Sequence, residues 1–362
     1  MEKKISLLFD FIEGSAGGEK LLRFFAQRYK SDIYTGYVNW DRTYSEFRDM
    51  NVNLIGKIPK MQILKQEMLI RKFRKLNLSN YDVSICLGLY SIYASTKNHP
   101  IIWNPYGVSP FFYKRADFPK GFMKRSLIWK IGAWLLIKRT KKYNKKVVTE
   151  NIDKIVTISE YSRKAFNEYY NRDSIMIPPP VDMSKHYCKP NKGYYLLVAR
   201  LEPGKRVELA VEAFKKMPDK TLYIEGIGSV EEKLKKLAEG AKNIRFLGRI
   251  PSNELPEVYA NSIALIGTAF YDDWSMPMVE ALASGKPCIA VNQGAYPEIV
   301  VDNKTGLLVN GDVEGIISGV NKITPEIAEK MKDDCIERAR IWSTENFGNN
   351  WDKVIEDVIN KR

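Results

Sequence analysis

The sequence predicts an α/β protein of two Rossmann-like, doubly wound parallel-sheet domains that face each other across a cleft. Three observations support this prediction. Short apolar strand candidates alternate with amphipathic helical stretches almost throughout, as they do in parallel α/β sheets. The length of 362 residues suits two domains of ordinary size. The run Pro178–Pro180, the clearest breaker of secondary structure, lies near the middle of the chain.

The first predicted domain covers residues 1–180. Its strand candidates are Ile5–Phe9, Ile33–Val38, Val52–Gly56, Val83–Leu87, Ile101–Trp103, Ile155–Ile158 and Ile175–Ile177. Its clearest helices are Glu19–Tyr29 and Tyr161–Tyr170. The segment from Pro178 to Gly193 is polar and lacks periodicity, so we expect it to be a linker.

The second predicted domain covers residues 190–344 and repeats the alternation more regularly. Its strand candidates are Tyr194–Ala199, Thr221–Glu225, Asn243–Leu247, Ile263–Gly267, Cys288–Val291 and Gly306–Val309. Its helices are Arg206–Lys216, Val230–Ala238, Asn253–Ala260, Met276–Ser284 and Val313–Val320, with Pro325–Ala339 and Asn350–Ile359 after the last strand. Because open parallel sheets bind ligands at the carboxyl ends of their strands, we expect the site in the cleft between the domains.

Charge and cysteine usage restrict the partners and the compartment. The net charge is +14, and residues 1–150 carry +16 while residues 151–362 carry −2. Nucleic acid, an anionic membrane and a phosphate-bearing substrate could all pair with such a basic half. Four widely spaced cysteines and two histidines predict a reduced compartment and no metal site. No signal peptide or spanning segment is evident, so we expect a cytoplasmic protein.

The basic charge is densest in Phe118–Thr149, which contains ten Lys and Arg residues and no acid. Leu127, Ile131, Trp134 and Leu135 fall on one helical face, which is typical of a helix lying on anionic lipid. The alternative is an internal helix with a solvated basic back. No recognised nucleic-acid-binding motif accompanies the charge, so we expect no nucleic-acid partner.

The stretch from Phe270 to Val300 contains the strongest local signal of a binding site. Asp272 precedes a predicted helix, Ser275 can cap that helix, and Pro277 fits its first turn. Glu280 follows about one turn inside. Free N–H groups at the helix start favour an anion, so the stretch suits a ligand with phosphates and sugar hydroxyls. The alternative is an ordinary strand–helix–strand crossover with two solvated carboxylates.

Three further loops follow predicted strands, and each is a weak signal alone. Gly14–Gly18 precedes the first helix, and glycines let a backbone approach a ligand closely, although a tight turn explains them equally well. Gly226 and Gly228 form a second Gly-x-Gly. Arg200 ends a strand and Lys205 begins the next helix, so the two cations can converge on a diphosphate or remain a solvated pair.

Together these segments resemble glycosyltransferase family 4, whose members are retaining, nucleotide-sugar-dependent enzymes with the GT-B fold. The segment VARLEPGKRVELAVEAF is similar to the family's GRLxxxKGxxxLIxAF. Residues Asp272 to Glu280 have the spacing of its E-x7-E element, with Asp in place of the first Glu. EALASGKPCIAVNQGAYPEIV is similar to EAMAxGxPVIAxxxGGxPEIV. Asn104 stands near the place of a family His, and the N-terminal GGxE motif is contracted to Gly17-Gly18-Glu19.

The resemblance implies a role for each site residue. Arg200 and Lys205 would bind the diphosphate, Asp272 the sugar hydroxyls and Glu280 the ribose, so these four are the candidate catalytic residues. Asn104 would contact the sugar or acceptor. The other donor-binding candidates are Gly17, Gly18, Gly226, Gly228, Arg249, Ile250, Ser275, Met276, Pro277 and Met278. It also implies that no metal or other cofactor is needed, and that the terminal helix, residues 345–362, crosses back to the first domain.

The sequence therefore predicts a hexosyltransferase acting on a UDP- or GDP-linked sugar and a glycan or lipid-linked acceptor. We expect it at the inner face of the membrane through residues 118–149. Two alternatives stay open. One is a soluble enzyme of the same fold that acts on a small sugar or sugar phosphate, or epimerises a nucleotide sugar. The other is a non-catalytic nucleotide- or glycan-binding module.

Overall fold

The computed structural model describes residues 3–14, 17–56, 62–105, 138 and 141–361. Two compact units make up the chain: Met1–Ile177 with Asn350–Arg362, and Pro178–Asn349. Most of the basic segment Phe118–Thr149, including the apolar face predicted to contact lipid, lies outside the described residues.

The first unit contains a seven-stranded parallel sheet in the order β3-β2-β1-β4-β5-β6-β7. The strands are β1 Ile5–Phe9, β2 Asp32–Thr35, β3 Val52–Leu54, β4 Val83–Cys86, β5 Ile101–Trp103, β6 Lys154–Thr157 and β7 Ile175–Met176. Leu7 of the fully buried β1 lies opposite Ile33 on one side and Ile85 on the other. A strand buried on both faces reads as a continuous apolar run, which is why β1 is evident from sequence.

The helices of the first unit are α1 Gly17–Tyr29, α2 Gln62–Phe73, α3 (described over 141–151) and α4 Glu160–Tyr170. The start of α4 is fixed by a capping box, in which the Ser159 hydroxyl accepts from the Ser162 N–H. Trp103 packs edge-on against Phe166 and Tyr170 of α4, so β5 and α4 share one aromatic core.

The second unit contains a six-stranded parallel sheet in the order β10-β9-β8-β11-β12-β13. The strands are β8 Tyr194–Val198, β9 Thr221–Glu225, β10 Ile244–Gly248, β11 Leu265–Gly267, β12 Cys288–Val291 and β13 Gly306–Val309. The order reverses between β8 and β11. In doubly wound sheets this switch point opens a crevice beyond the carboxyl ends of the two strands.

Helices join these strands. They are α5 Val207–Lys215, α6 Glu231–Leu237, α7 Leu255–Ala260, α8 Met276–Ala283, α9 Tyr296–Ile299, α10 Val313–Lys322, α11 Pro325–Lys330, α12 Lys332–Arg340 and α13 Thr344–Asn360. The predicted helix Pro325–Ala339 is two helices, and the predicted helices at 206 and 350 begin at Val207 and Thr344. Helix ends are weakly encoded because propensity changes little over one turn.

The segment expected to be a linker belongs to the second unit. The Val181 N–H donates to the Trp342 carbonyl at 2.8 Å, and the Lys192 N–H donates to the Asn261 carbonyl at 2.8 Å. The segment lacks periodicity because it lies against the unit as irregular backbone. The two units divide between Ile177 and Pro178, at the start of the Pro178–Pro180 run.

The last residues of α13 belong to the first unit and pack against α1. Trp351 is fully buried and packs edge-on against Phe25 of α1 at 4.7 Å between ring centroids. The Asp352 carboxylate accepts from the Arg28 guanidinium at 2.5 Å and from the Tyr29 hydroxyl at 2.8 Å. Burial acts to raise the pKa of Asp352, but these hydrogen bonds and the Arg28 charge outweigh it, so the pKa is lowered overall.

Acidification should loosen this attachment. A carboxyl group whose folded-state pKa is depressed stabilises the fold above its unfolded pKa of about 4, and that contribution is lost as pH falls through the lower folded value. We expect wild-type protein to lose more thermal stability between pH 6 and pH 3 than Asp352→Asn, which has no charge to lose. Thermal unfolding at several pH values measures this difference, and parallel curves for the two proteins would contradict it.

Candidate active site

The candidate site of the second unit lies in the loops that follow the strands at the carboxyl edge of its sheet. Arg200 and Lys205 follow β8, Gly226 and Gly228 follow β9, and Asp272 follows β11. Because β8 and β11 flank the switch point, their two loops are neighbours. Residues far apart in sequence are therefore brought together at the place where this fold accepts ligands.

The central contact of the site is an ion pair between these two loops. The Lys205 Nζ lies 2.8 Å from Oδ2 of Asp272. The two side chains are 25% and 14% exposed, so water screens the pair only partly. The Tyr296 hydroxyl donates to the same Asp272 oxygen at 3.3 Å. Asp272 is thus held by a cation and a phenol, with its other oxygen left for a further donor.

Backbone contacts fix the loop that carries Asp272. The Ala295 N–H donates to the Asp272 carbonyl at 2.9 Å, and the Phe270 N–H donates to the Gly204 carbonyl at 3.2 Å. Gly294 has a left-handed φ of 60°, and a Cβ there would lie 2.8 Å from the Asp272 backbone. The turn after β12 therefore packs directly under this loop, and a side chain at Gly294 would displace it.

Helix α8 begins beside this ion pair, with Ser275 at its N-cap position. The Ser275 hydroxyl makes no capping bond, contrary to expectation. Pro277 is the second helical residue and has no N–H, so one of the two usual partners of a capping hydroxyl is missing. The Met276 side chain is half-buried and that of Met278 is fully buried. The first N–H groups of a helix have no intrahelical partner and point toward its start, so Met276 and Met278 can contribute backbone donors there.

A second carboxylate group lies one turn into α8. The Tyr259 hydroxyl of α7 donates to Oε2 of Glu280 at 3.1 Å. Burial raises the pKa of Tyr259 well above its ordinary value, and the Glu280 charge adds to that shift. The phenol therefore stays protonated and remains a donor that orients Glu280.

Glu225, at the end of β9, is a further acidic side chain at this edge of the sheet, and the sequence motifs did not predict it as a site residue. It is 8% exposed, and its Oε1 accepts from the Ile250 N–H at 3.2 Å. Burial raises the pKa of Glu225, the Ile250 hydrogen bond and Arg249 charge oppose the rise, and Glu280 adds to it. An acid as the last residue of an apolar strand, directly before Gly-x-Gly, was the signal available in the sequence.

Neither Gly226 nor Gly228 has room for a side chain. Gly226 has φ +126°, and a Cβ there would lie 1.9 Å from the Ala199 carbonyl oxygen. A Cβ at Gly228 would lie 2.3 Å from the Leu201 carbonyl oxygen. The loops after β8 and β9 therefore touch backbone to backbone, and these glycines permit that approach.

Two further predicted site residues, Arg200 and Arg249, are more exposed than Lys205 and Asp272. Arg200 follows β8 with its side chain exposed, and the side chains that hold Asp272 are Lys205 and Tyr296. Arg249 is exposed next to Glu225, to which it is electrostatically coupled. Ile250 contributes the backbone N–H already described.

Gly17, Gly18 and Asn104 belong to the first unit. Glu19 closes the loop before α1, since its Oε1 accepts from the Gly14 N–H at 3.1 Å. A Cβ at Gly17 would meet nothing within 4 Å, so space alone does not demand glycine there. Asn104 is 1% exposed and donates to the Val156 carbonyl at 2.6 Å, so its side chain is part of the packing around β6.

Within the described ranges, no group of three His, Cys, Asp or Glu side chains is arranged to hold a metal ion. In the same part of the chain, no helix has the length and apolar character needed to cross a membrane.

Solved structures share this architecture. Sucrose-phosphate synthase from Thermosynechococcus elongatus superposes with a TM-score of 0.77 over 99% of this chain and 100% of that one, at 17% identity. HepE of Anabaena, solved in complex with UDP-glucose, gives 0.75 over 98% and 99%, at 14% identity. The lipopolysaccharide outer core galactosyltransferase WaaB gives 0.73 over 98% and 99%, at 17% identity. The chain therefore has the GT-B fold of glycosyltransferases.

Sequence comparison matches the part of the chain that contains these residues. Residues 181–342 match the family described as Glycosyl transferases group 1. The O-antigen chain mannosyltransferase B of Escherichia coli is 26% identical over 53% of this chain and 56% of that protein. A GDP-mannose-dependent phosphatidylinositol monomannoside mannosyltransferase of Mycolicibacterium smegmatis is 27% identical over 55% and 60%. The match to the group 1 glycosyl transferase model thus lies within the second unit, and the chain spans less than two thirds of the length of these relatives.

Proposed function

We propose that this chain is a retaining glycosyltransferase that moves a hexosyl group from a UDP- or GDP-linked sugar to a glycan or lipid-linked hydroxyl, without a metal. The observation that supports it most is the Lys205–Asp272 pair at 2.8 Å, beside the start of α8 at the switch point. A cation and a helix start suit a diphosphate, and a carboxylate suits sugar hydroxyls. The mannosyltransferase relatives and the UDP-glucose complex of HepE support the donor class.

The proposed mechanism uses charge stabilisation instead of a protein nucleophile. As the glycosidic bond breaks, negative charge collects on the departing diphosphate. Lys205, Arg200 and the free N–H groups of the first turn of α8 would stabilise that charge. The acceptor hydroxyl enters on the face that the phosphate leaves, and a phosphate oxygen takes its proton, which gives retention. Asp272 would hold the sugar hydroxyls and Glu280 the ribose.

A donor panel tests this proposal. Purified protein is incubated with UDP- and GDP-hexoses and with glycan or lipid-linked acceptors, with and without EDTA. We expect transfer from at least one donor, the same anomeric configuration in product and donor by NMR, and no effect of EDTA. Glu280→Ala should abolish transfer, whereas Glu314→Ala, which removes an exposed acid of α10, should not.

Three outcomes would overturn the proposal. Donor binding by calorimetry without transfer or hydrolysis would identify a binding module. Conversion of one nucleotide sugar into another would identify an epimerase. Transfer to a free sugar or sugar phosphate, and to no glycan or lipid-linked acceptor, would identify the soluble enzyme.

The first unit suggests where an anionic membrane would be contacted. Exposed cations lie on α3 and at the end of α2. The Arg74 guanidinium lies 5.8 Å from the centre of the Tyr143 ring of α3, so the cations of the two helices are neighbours. The exposed cations are Arg71, Arg74, Lys75, Lys142, Lys145 and Lys146. We propose that this cationic patch holds the enzyme at the inner face of the membrane, beside a lipid-linked acceptor.

Vesicle flotation tests the cationic patch. We expect binding to vesicles with anionic lipid and not to neutral ones, weakening as salt rises. Replacing Lys142, Lys145 and Lys146 by Ser should weaken binding about 100-fold, since each basic residue contributes about 1 kcal/mol near such a surface. The same change at Lys215, Lys216 and Lys220 of the second unit is the matched control. Equal loss in both variants would contradict a localised contact.

A further inference from the structure

Arg206 has an unusual backbone for its residue type. It lies between Lys205 and the start of α5 with φ +51° and ψ +37°, in the left-handed region. Residues with a Cβ avoid that region because the Cβ crowds the following carbonyl. Such strain persists only where surrounding contacts hold it, and it is often found at functional sites.

The Arg206 side chain supplies those contacts. One guanidinium nitrogen donates to Oε1 of Gln293 at 3.0 Å, and the other donates to the Gly311 carbonyl. The guanidinium carbon lies 5.4 Å from the centre of the Phe270 ring. The backbone of Arg206 follows β8, while its side chain contacts the loops after β11, β12 and β13. One residue therefore joins four loops at the carboxyl edge of the sheet.

These contacts lead to both members of the central ion pair. On one side, Arg206 follows Lys205 directly, and the Lys205 carbonyl accepts from the Thr268 hydroxyl at 2.7 Å. On the other side, Gln293 precedes the turn whose Ala295 N–H holds the Asp272 carbonyl at 2.9 Å. The guanidinium thus fixes the distance between the backbone segments that carry Lys205 and Asp272.

We infer that Arg206 is a positioning residue, which holds Lys205 and Asp272 in the geometry needed for transfer from the donor. This inference rests on the proposed function. The contacts of this chain suit arginine, although the resembled motif GRLxxxKG has glycine at this position. A planar guanidinium can serve two acceptors and lie over an aromatic ring at once, whereas a lysine ammonium is a single point charge.

Two variants separate the side chain from the backbone strain. Arg206→Gly removes the guanidinium and relieves the strain of the left-handed backbone. Arg206→Lys keeps the positive charge but cannot donate to both Gln293 and Gly311 through a planar group. The matched control is Asn303→Gly. Asn303 also has a positive φ, +58°, but it precedes β13 and so lies at the amino ends of the strands, away from the site. Asn303→Gly therefore relieves a similar backbone strain in the same unit without changing any residue of the four loops.

The activity readout is the division of the effect between kcat and KM. We expect Arg206→Gly to lower kcat for transfer about 10- to 100-fold, the loss typical of small misplacements of catalytic groups. KM for the donor should change less, and the melting temperature should stay near that of wild type. Arg206→Lys should recover part of kcat. Asn303→Gly should behave as wild type.

The second readout needs no activity. Hydrogen–deuterium exchange should be faster at the Phe270 and Ala295 amides in Arg206→Gly, with the rest of the second unit unchanged. Unchanged exchange at these amides would overturn the inference, whatever the kinetics. Faster exchange together with wild-type kcat would overturn it as well. Faster exchange in a protein whose wild type transfers no sugar would support the positioning role and refute the proposed transferase activity separately.

Discussion

Replacing Lys205 by Ala is expected to lower kcat for glycosyl transfer about 100- to 1000-fold, the usual loss when one donor to a developing negative charge is removed. Lys205 is the cation that the structure places against Asp272, at 2.8 Å, beside the start of α8. Initial rates over a range of donor concentrations measure the effect. A hydrophobic stem of similar length is kept in Lys205→Met, which should lose as much activity as Lys205→Ala.

The matched control is Lys216→Ala. Lys216 also forms an ion pair, with Glu314 at 2.7 Å, but both side chains are largely exposed, at 58% and 74%. Lys216→Ala therefore removes one positive charge from the same unit, at a position outside the site. Wild-type rates in Lys205→Ala, with both proteins folded by circular dichroism, would show that Lys205 has no role in transfer.

Replacing Gly226 by Ala should destabilise the second unit by about 2–4 kcal/mol. About 1–2 kcal/mol comes from a Cβ in a backbone with positive φ, and the remainder comes from backbone that must shift to admit it. The added Cβ would otherwise lie 1.9 Å from the Ala199 carbonyl oxygen. Urea unfolding followed by circular dichroism measures the free energy of unfolding.

Gly204→Ala is the control for Gly226→Ala. Its added Cβ would meet nothing within 4 Å, and its backbone is not left-handed. We expect its free energy of unfolding to match that of wild type within about 0.5 kcal/mol. If both substitutions cost the same, close approach of the loops after β8 and β9 is not what selects glycine at Gly226.

The sequence predicted the sheets well because their strands are buried on both faces. Ile5–Phe9 and Cys288–Val291 have the predicted bounds in the structure, since a buried strand is a short apolar run between polar turns. The GT-B fold was confirmed by the solved structures. Edge strands were placed less well: the predicted strand Val52–Gly56 ends at Leu54, because half-exposed residues give no apolar signal.

Side-chain partners in the site could not be predicted in the same way. The Lys205–Asp272 pair joins residues 67 positions apart, and only the strand order makes them neighbours. Glu225 and Arg206 were overlooked because composition does not distinguish a buried or strained charged residue from a solvated one. Ser275 shows the reverse error. Its cap position is correct, but Pro277, the second helical residue, removes a hydrogen-bond donor that the pattern assumes.

The attachment of α13 has a consequence for how the chain folds. Tyr29 and Asp352 are 323 residues apart, yet they share a hydrogen bond within one unit. During synthesis Phe25 therefore remains without Trp351, its aromatic partner, until the whole second unit has been made. Contacts of such sequence separation form late, because a long loop must close first. The second unit is continuous in sequence and can fold as it emerges, so the earlier part of the chain is completed last.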